Sequence, residues 1–165
     1  MKLKDILAIS GKGGLYKFIS QGRNAIIVES FADKKRTSVY ASTKVSSLED
    51  IAIFTSTEDV PLADVLKKIS DKENGGKTIS HKSSPEELKG LFEEILPDYD
   101  RERVYVSDMK KVVNWYNLMH EYDLLNFEEE ENEEENKETA EDKKQETVQK
   151  PKNTGKETEG EKKQN

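Results

Sequence analysis

The chain contains no cysteine, and that absence removes a disulfide-stapled scaffold, thiolate catalysis and any zinc site built on sulfur. It fits a reducing compartment. Histidine is scarce as well: His81 and His120 stand far apart in sequence, so no histidine-rich metal centre and no metal cofactor is expected. No apolar run approaches the roughly 18 residues that a membrane span needs. The opening Met1-Lys2-Leu3-Lys4-Asp5 sets charges where a secretory signal would be apolar. The expectation is a cytoplasmic protein that does not engage a membrane. Apolar residues make up only 33% of the 165, which limits the chain to one or two small domains.

Charge is abundant but unevenly placed. Residues 1–56 carry nine basic and five acidic side chains, residues 57–126 ten and fifteen, and residues 127–165 eight and fourteen. The sign therefore reverses along the chain. After Phe127 only Ala140 and Val148 are apolar, and seven of the eight residues 128–135 are Glu. A segment with so little to bury cannot offset its ordering entropy, so residues 128–165 read as a disordered acidic tail. Its simplest role is to keep the chain soluble; the sharper alternative is a decoy that competes for a basic groove.

Residues 1–56 read as short strands punctuated by turns. Residues 6–10 stop at Gly11-Lys12-Gly13-Gly14, residues 15–20 at Gln21-Gly22-Arg23-Asn24, and residues 25–31 at Asp33-Lys34-Lys35-Arg36, with residues 37–42 following. Turn signals at such spacing mark a small antiparallel sheet or barrel. Ser46-Ser47-Leu48-Glu49-Asp50 reads as one helical turn feeding a fifth strand at Ile51-Ala52-Ile53-Phe54. Ile26-Ile27-Val28 places apolar side chains on both faces of its strand, so both faces need cover. Either the helical half or a second copy of the chain could supply it. A barrel of about 55 residues is marginal alone, which favours the helical half.

From Pro61 the apolar period changes from two to 3.6. Leu62, Val65, Leu66 and Ile69 line a first helix with Pro61 at its first position and Asn74-Gly75-Gly76 at its end. Ser84-Pro85-Glu86-Glu87 is a capping box opening a second helix, whose face is Leu88, Leu91, Phe92 and Ile95. A third helix begins near Ser107-Asp108 and carries Met109, Val112, Val113, Tyr116 and Met119, widened by Trp115, Leu118 and Tyr122. Val104-Tyr105-Val106 reads as a short extended piece before it.

Few motifs carry chemistry. Gly11-Lys12-Gly13-Gly14 lacks the spacing of a phosphate-binding loop and is followed by a strand pattern, so its glycines read as turn residues. The acidic clusters at Glu86-Glu87, Glu93-Glu94 and residues 98–102 fall in a helix's first turn, on its polar face or in a loop. Nothing supplies nucleophile, base and orienter together, so no catalytic residue and no enzymatic activity is expected. The candidate binding residues are Tyr16, Lys17, Arg23, Lys34, Lys35, Arg36 and Tyr40: cations on loops beside aromatic side chains in strands. Small barrels that bind nucleic acid combine these two elements, because phosphates need cations and unstacked bases need π surfaces. Charged tips also serve to keep sheet edges from pairing with other chains.

The five-strand pattern resembles an SH3-like small barrel. The runs Leu15-Tyr16-Lys17-Phe18-Ile19-Ser20-Gln21-Gly22-Arg23-Asn24, Lys44-Val45-Ser46-Ser47-Leu48-Glu49-Asp50-Ile51 and Val60-Pro61-Leu62 resemble an uncharacterised Bacteroidetes-type family, a domain of unknown function. The resemblance covers residues 1–127. It implies a short barrel followed by helices and brings no activity, cofactor or site residue. The expected architecture is α+β: a five-stranded barrel at 1–56, a three-helix domain at 57–127 packed on it, and the tail at 128–165. The expected function is a non-enzymatic binding module recognising a protein or peptide through barrel loops or an edge strand. The alternative is weak RNA binding by the basic loops, with affinity that falls with salt and rises when the tail is removed.

Overall fold

Turn residues divide the first part of the chain into strands where the alternation requires. In the computed structural model, which describes residues 2–126, these are β1 (Ile6–Ile9), β2 (Tyr16–Gln21), β3 (Ala25–Ser30), β4 (Arg36–Tyr40) and β5 (Val45–Ser47). They form one antiparallel sheet in the order β4-β3-β2-β1-β5. Leu7 lies opposite Tyr16, Phe18 opposite Val28, and Ile26 opposite Val39. The register shifts between Phe18 and Ser20, a bulge that adds twist to the middle of the sheet. The tail assigned to residues 128–165 lies outside the described residues.

Pleating sends successive side chains of a strand to opposite faces, so a strand apolar throughout needs two covers. The strand in that position is β1. Leu7 and Ile9 join Val28 and Val39 in a small inner cluster, with Tyr16, Ile26 and Val45 packed around it. Ile6 and Ala8 face the other way, into a larger core shared with all three helices. The sequence pattern pointed to β3 instead. There Ile26 and Val28 turn inward, whereas Ile27, opposite Ser38, is only half-buried and joins neither cluster.

The fifth strand and the turn after the fourth exchange places relative to expectation. Val45–Ser47 ladders onto β1, and the turn comes afterwards, at residues 48–50. The two serines that made this stretch look too polar for a strand each have an outlet. The Ser47 hydroxyl donates to the Lys4 carbonyl at 3.2 Å, and Ser46 borders an open cleft. The Leu48 N–H donates to the Ile6 carbonyl at 3.0 Å while its side chain is wholly buried. The run proposed as the fifth strand supplies β6 (Ala52–Ile53), which pairs instead with β7 (Val60–Pro61).

Pro61 thus ends a strand rather than occupying the first position of a helix. Helix α1 (Leu62–Lys72) follows it and buries Leu62, Val65, Leu66 and Ile69. It closes as Asn74 and Gly75 turn to φ +50° and +76°, letting the Gly75 N–H reach the Ser70 carbonyl at 2.8 Å. Helix α2 (Pro85–Ile95) opens with the capping box the sequence spelled out. The Glu87 N–H donates to Ser84 Oγ at 3.3 Å, and the Ser84 N–H donates back to Glu87 Oε2 at 2.9 Å. Helix α3 (Val106–Glu121) begins slightly earlier than its pattern suggested. Asp108 is its third residue and accepts the Tyr105 N–H at 3.1 Å, so Val106 belongs to the helix and not to an extended piece. Ile6, Leu15, Phe31 and Leu48 from the sheet and its loops meet the apolar faces of all three helices in the larger core. Among the described residues no helix is long and apolar enough to cross a membrane.

Candidate functional site

Ala8 and Ser46 stand directly opposite each other where β1 and β5 turn toward α3. Both side chains are small, which leaves a dent in this part of the sheet surface, and Trp115 of α3 lines the same space. The result is an open cleft of about 450 Å³ walled by the 11–14 glycine loop on one side and by Asn114 and Trp115 on the other. Three lysines border it, Lys12, Lys44 and Lys111, and its lining contains no carboxylate.

The loops that carry Lys12 and Lys44 are tied together, because the Ser10 N–H donates to the Lys44 carbonyl at 2.9 Å. The loop turns through Gly11 at φ +77° and Gly14 at φ +100°, a region side chains other than glycine rarely adopt. Its middle is braced by the Tyr16 hydroxyl, which donates to the Gly13 carbonyl at 3.4 Å. Lys111 Nζ lies 3.5 Å from Asp108 Oδ1. Among the described residues neither Lys12 nor Lys44 has an ion-pair partner.

The groove continues past Trp115. A second chamber of about 240 Å³ shares Ile51, Lys111 and Trp115 with the first and runs on to Phe54 and Arg103. The Arg103 guanidinium sits 4.3 Å from the centre of the Phe54 ring. It is anchored by Asp100, with Nε to Oδ2 at 2.8 Å. Arg103's side chain and N–H, together with the Glu102 N–H, hold the Asp100 carboxyl below its usual range.

The residues singled out from sequence fall into two groups at opposite ends of β3 and β4. At one end Arg23 and Tyr40, the latter 63% exposed, border a separate cleft of about 240 Å³. At the other end the basic hairpin tip is satisfied from within. Lys34 lies 5.3 Å from the Phe31 ring centre, Lys35 Nζ is 3.5 Å from Asp33, and Arg36 Nε donates to Glu29 Oε2 at 3.0 Å. Lys17 is half-buried opposite Glu29. Tyr16 packs on the inner cluster, and only its hydroxyl bears on the larger cleft. Lys44, Lys111, Asn114 and Trp115, which line the larger cleft, are not among the candidates read from sequence. One signal was available: Lys111, Asn114 and Trp115 are spaced i, i+3, i+4, a helix face distinct from the buried Met109–Val112–Tyr116 stripe.

Two family models match the chain in succession, Domain of unknown function (DUF5606) over residues 3–48 and Domain of unknown function (DUF6852) over residues 51–119. Their junction falls in the turn after β5, so the first takes in the sheet and the second β6 through most of α3. A solution NMR structure of a structural-genomics target from Bacteroides vulgatus is similar at 50% identity and TM-score 0.66, covering 76% of this chain and 91% of its own. No curated protein matches.

Proposed function

With a half-identical chain from Bacteroides vulgatus matched over nearly its whole length, this protein belongs to a Bacteroidetes-type domain-of-unknown-function family, and since membership brings no activity we propose from the site itself that it is a non-enzymatic module binding an acidic, extended segment of a partner protein. The observation that carries the reading is the groove over the Ala8–Ser46 dent: lysines around its rim, an indole as one wall, and an apolar floor running from Ile51 to Ile53. Lys12 and Lys44, which have no ion-pair partner among the described residues, attract carboxylates, the indole offers a flat surface to side chains, and the groove's length suits a chain better than a compact metabolite. A cytoplasmic setting accompanies the reading, consistent with a chain that lacks cysteine.

Recognition of single-stranded RNA is the competing proposal. Lys12, Lys44 and Lys111 beside Trp115 would serve a phosphodiester chain too, but the hairpin cations that would extend such a surface are already engaged by Asp33, Glu29 and Phe31. Trp115 is the chain's only tryptophan, so its emission reports on the groove directly. Titrating the full-length protein with a Glu-rich dodecapeptide is expected to give a saturable change that Lys44→Glu removes. Saturation by oligouridylate and not by the peptide would transfer the site to RNA, and silence toward both would overturn the reading.

A further inference from the structure

We infer that the glycine-loop end of the groove is a subsite for a phosphoryl group carried on the bound peptide, a phosphorylated serine or threonine set among acidic residues. The inference rests on the peptide-binding reading and names the group that the groove selects. Charge is the first argument. Lys12, Lys44 and Lys111 border a chamber whose lining holds no carboxylate, and among the described residues only Lys111 has an ion-pair partner, Asp108 at 3.5 Å. One carboxylate brings a single negative charge and two oxygens. A phosphate monoester brings about −1.5 to −2 charges and three acceptor oxygens, which suits two free ammonium groups and a third that is only half engaged.

The backbone is the second argument. Gly11 and Gly14 at positive φ bend the loop tightly at the rim of the chamber, with the Lys12 N–H held on the Ile9 carbonyl at 3.1 Å. A side-chain carbon built at Gly11, Gly13 or Gly14 would meet nothing within 4 Å, so a ligand can approach the loop closely. The third argument is fixed geometry. The Ser10–Lys44 and Tyr16–Gly13 hydrogen bonds hold the two lysine-bearing loops in place before any ligand arrives, which lowers the entropy cost of binding. The loop leads into β2 and not into a helix, so it lacks the helix N-terminus of a nucleotide-binding loop. The groove instead extends past Trp115 toward Phe54, where the flanking residues of a peptide would lie.

The test uses the full-length protein and three dodecapeptides identical except at a central serine, glutamate or phosphoserine, followed by Trp115 emission. The phosphoserine peptide is expected to bind about tenfold more tightly than the other two. In Lys12→Ala/Lys44→Ala that margin should vanish, and millimolar inorganic phosphate should compete away the same margin in the unmodified protein. Equal affinity for all three peptides would overturn the phosphoryl subsite and leave peptide binding standing. A response to adenosine monophosphate or oligouridylate with none to any peptide would overturn both.

Discussion

Leu48→Ala tests whether the sheet and the helices share one core. Leu48 is fully buried, lies directly after β5, and belongs to the cluster that also contains residues of α1, α2 and α3. Cutting it to alanine removes three heavy atoms from a core built of both sheet and helix residues. Leucine-to-alanine changes at such sites cost about 2–5 kcal/mol, and about 3 is the central expectation. With an unfolding entropy near 2.1 cal/mol/K per residue over about 125 residues, that loss lowers Tm by about 11 °C. Thermal unfolding of the full-length chain, followed by Trp115 emission, should show the whole drop although Trp115 is in α3 and the substitution is beside β5. Amide exchange in β1 and in α3 should accelerate by the same factor. Ile27→Ala, in neither cluster, should cost about 1 kcal/mol or less. An unmoved Trp115 transition beside early loss of protection in β1 would refute the shared core and make the two family-model segments independent folding units.

Asn117 holds the linker before α2, accepting the Thr78 N–H at 3.1 Å and donating to the Ile79 carbonyl at 2.9 Å. Asn117→Ala leaves both linker groups without that partner and should lower stability by about 1–3 kcal/mol in urea denaturation at constant m value. Ser84→Ala removes the cap of α2 and should cost about 1 kcal/mol in the same assay. The Glu87 carboxyl is held below its usual 4.5 chiefly by the Ser84 N–H and then by the Ser84 hydroxyl. A depressed folded-state pKa stabilises above the unfolded value, and that contribution is lost as pH falls from about 4.5 through the folded value. Glu87→Gln should therefore flatten the acid limb of a stability–pH profile, and an unchanged limb would remove Glu87 from the account. Asp100 is depressed from 3.8 by Arg103, so Asp100→Asn should weaken stability at neutral pH and lose that effect in acid, where wild type and variant converge.

What was legible in sequence was local. The Ser84–Glu87 box is written within four residues, the faces of α1 and α2 within three turns each, and the first four strands are separated by their own turn residues. Each needs no knowledge of distant chain. The fifth strand was misplaced because its evidence is not local: Val45–Ser47 is a strand only by virtue of the β1 edge it pairs with, and its serines are accommodated by the Lys4 carbonyl and an open cleft. The same reason hid the groove. Its floor comes from β1, β5 and residues 51–53, its rim from two loops, and its wall from α3, so the lining is assembled from three separate stretches of sequence, 8–14, 44–54 and 103–115. Gly11-Lys12-Gly13-Gly14 reads alone as a turn, and it is one. Lys44 and Trp115 are what make its position consequential.

The claim on which the functional account depends is that the Ala8–Ser46 dent is where a partner segment sits. Ser46→Leu fills that dent from the sheet side and leaves every lysine, the glycine loop and Trp115 in place. Isothermal titration of the full-length variant with the Glu-rich dodecapeptide, on protein whose Tm stays within a few degrees of wild type, should show no measurable heat of binding. Wild-type affinity in Ser46→Leu would place the peptide elsewhere and contradict the account.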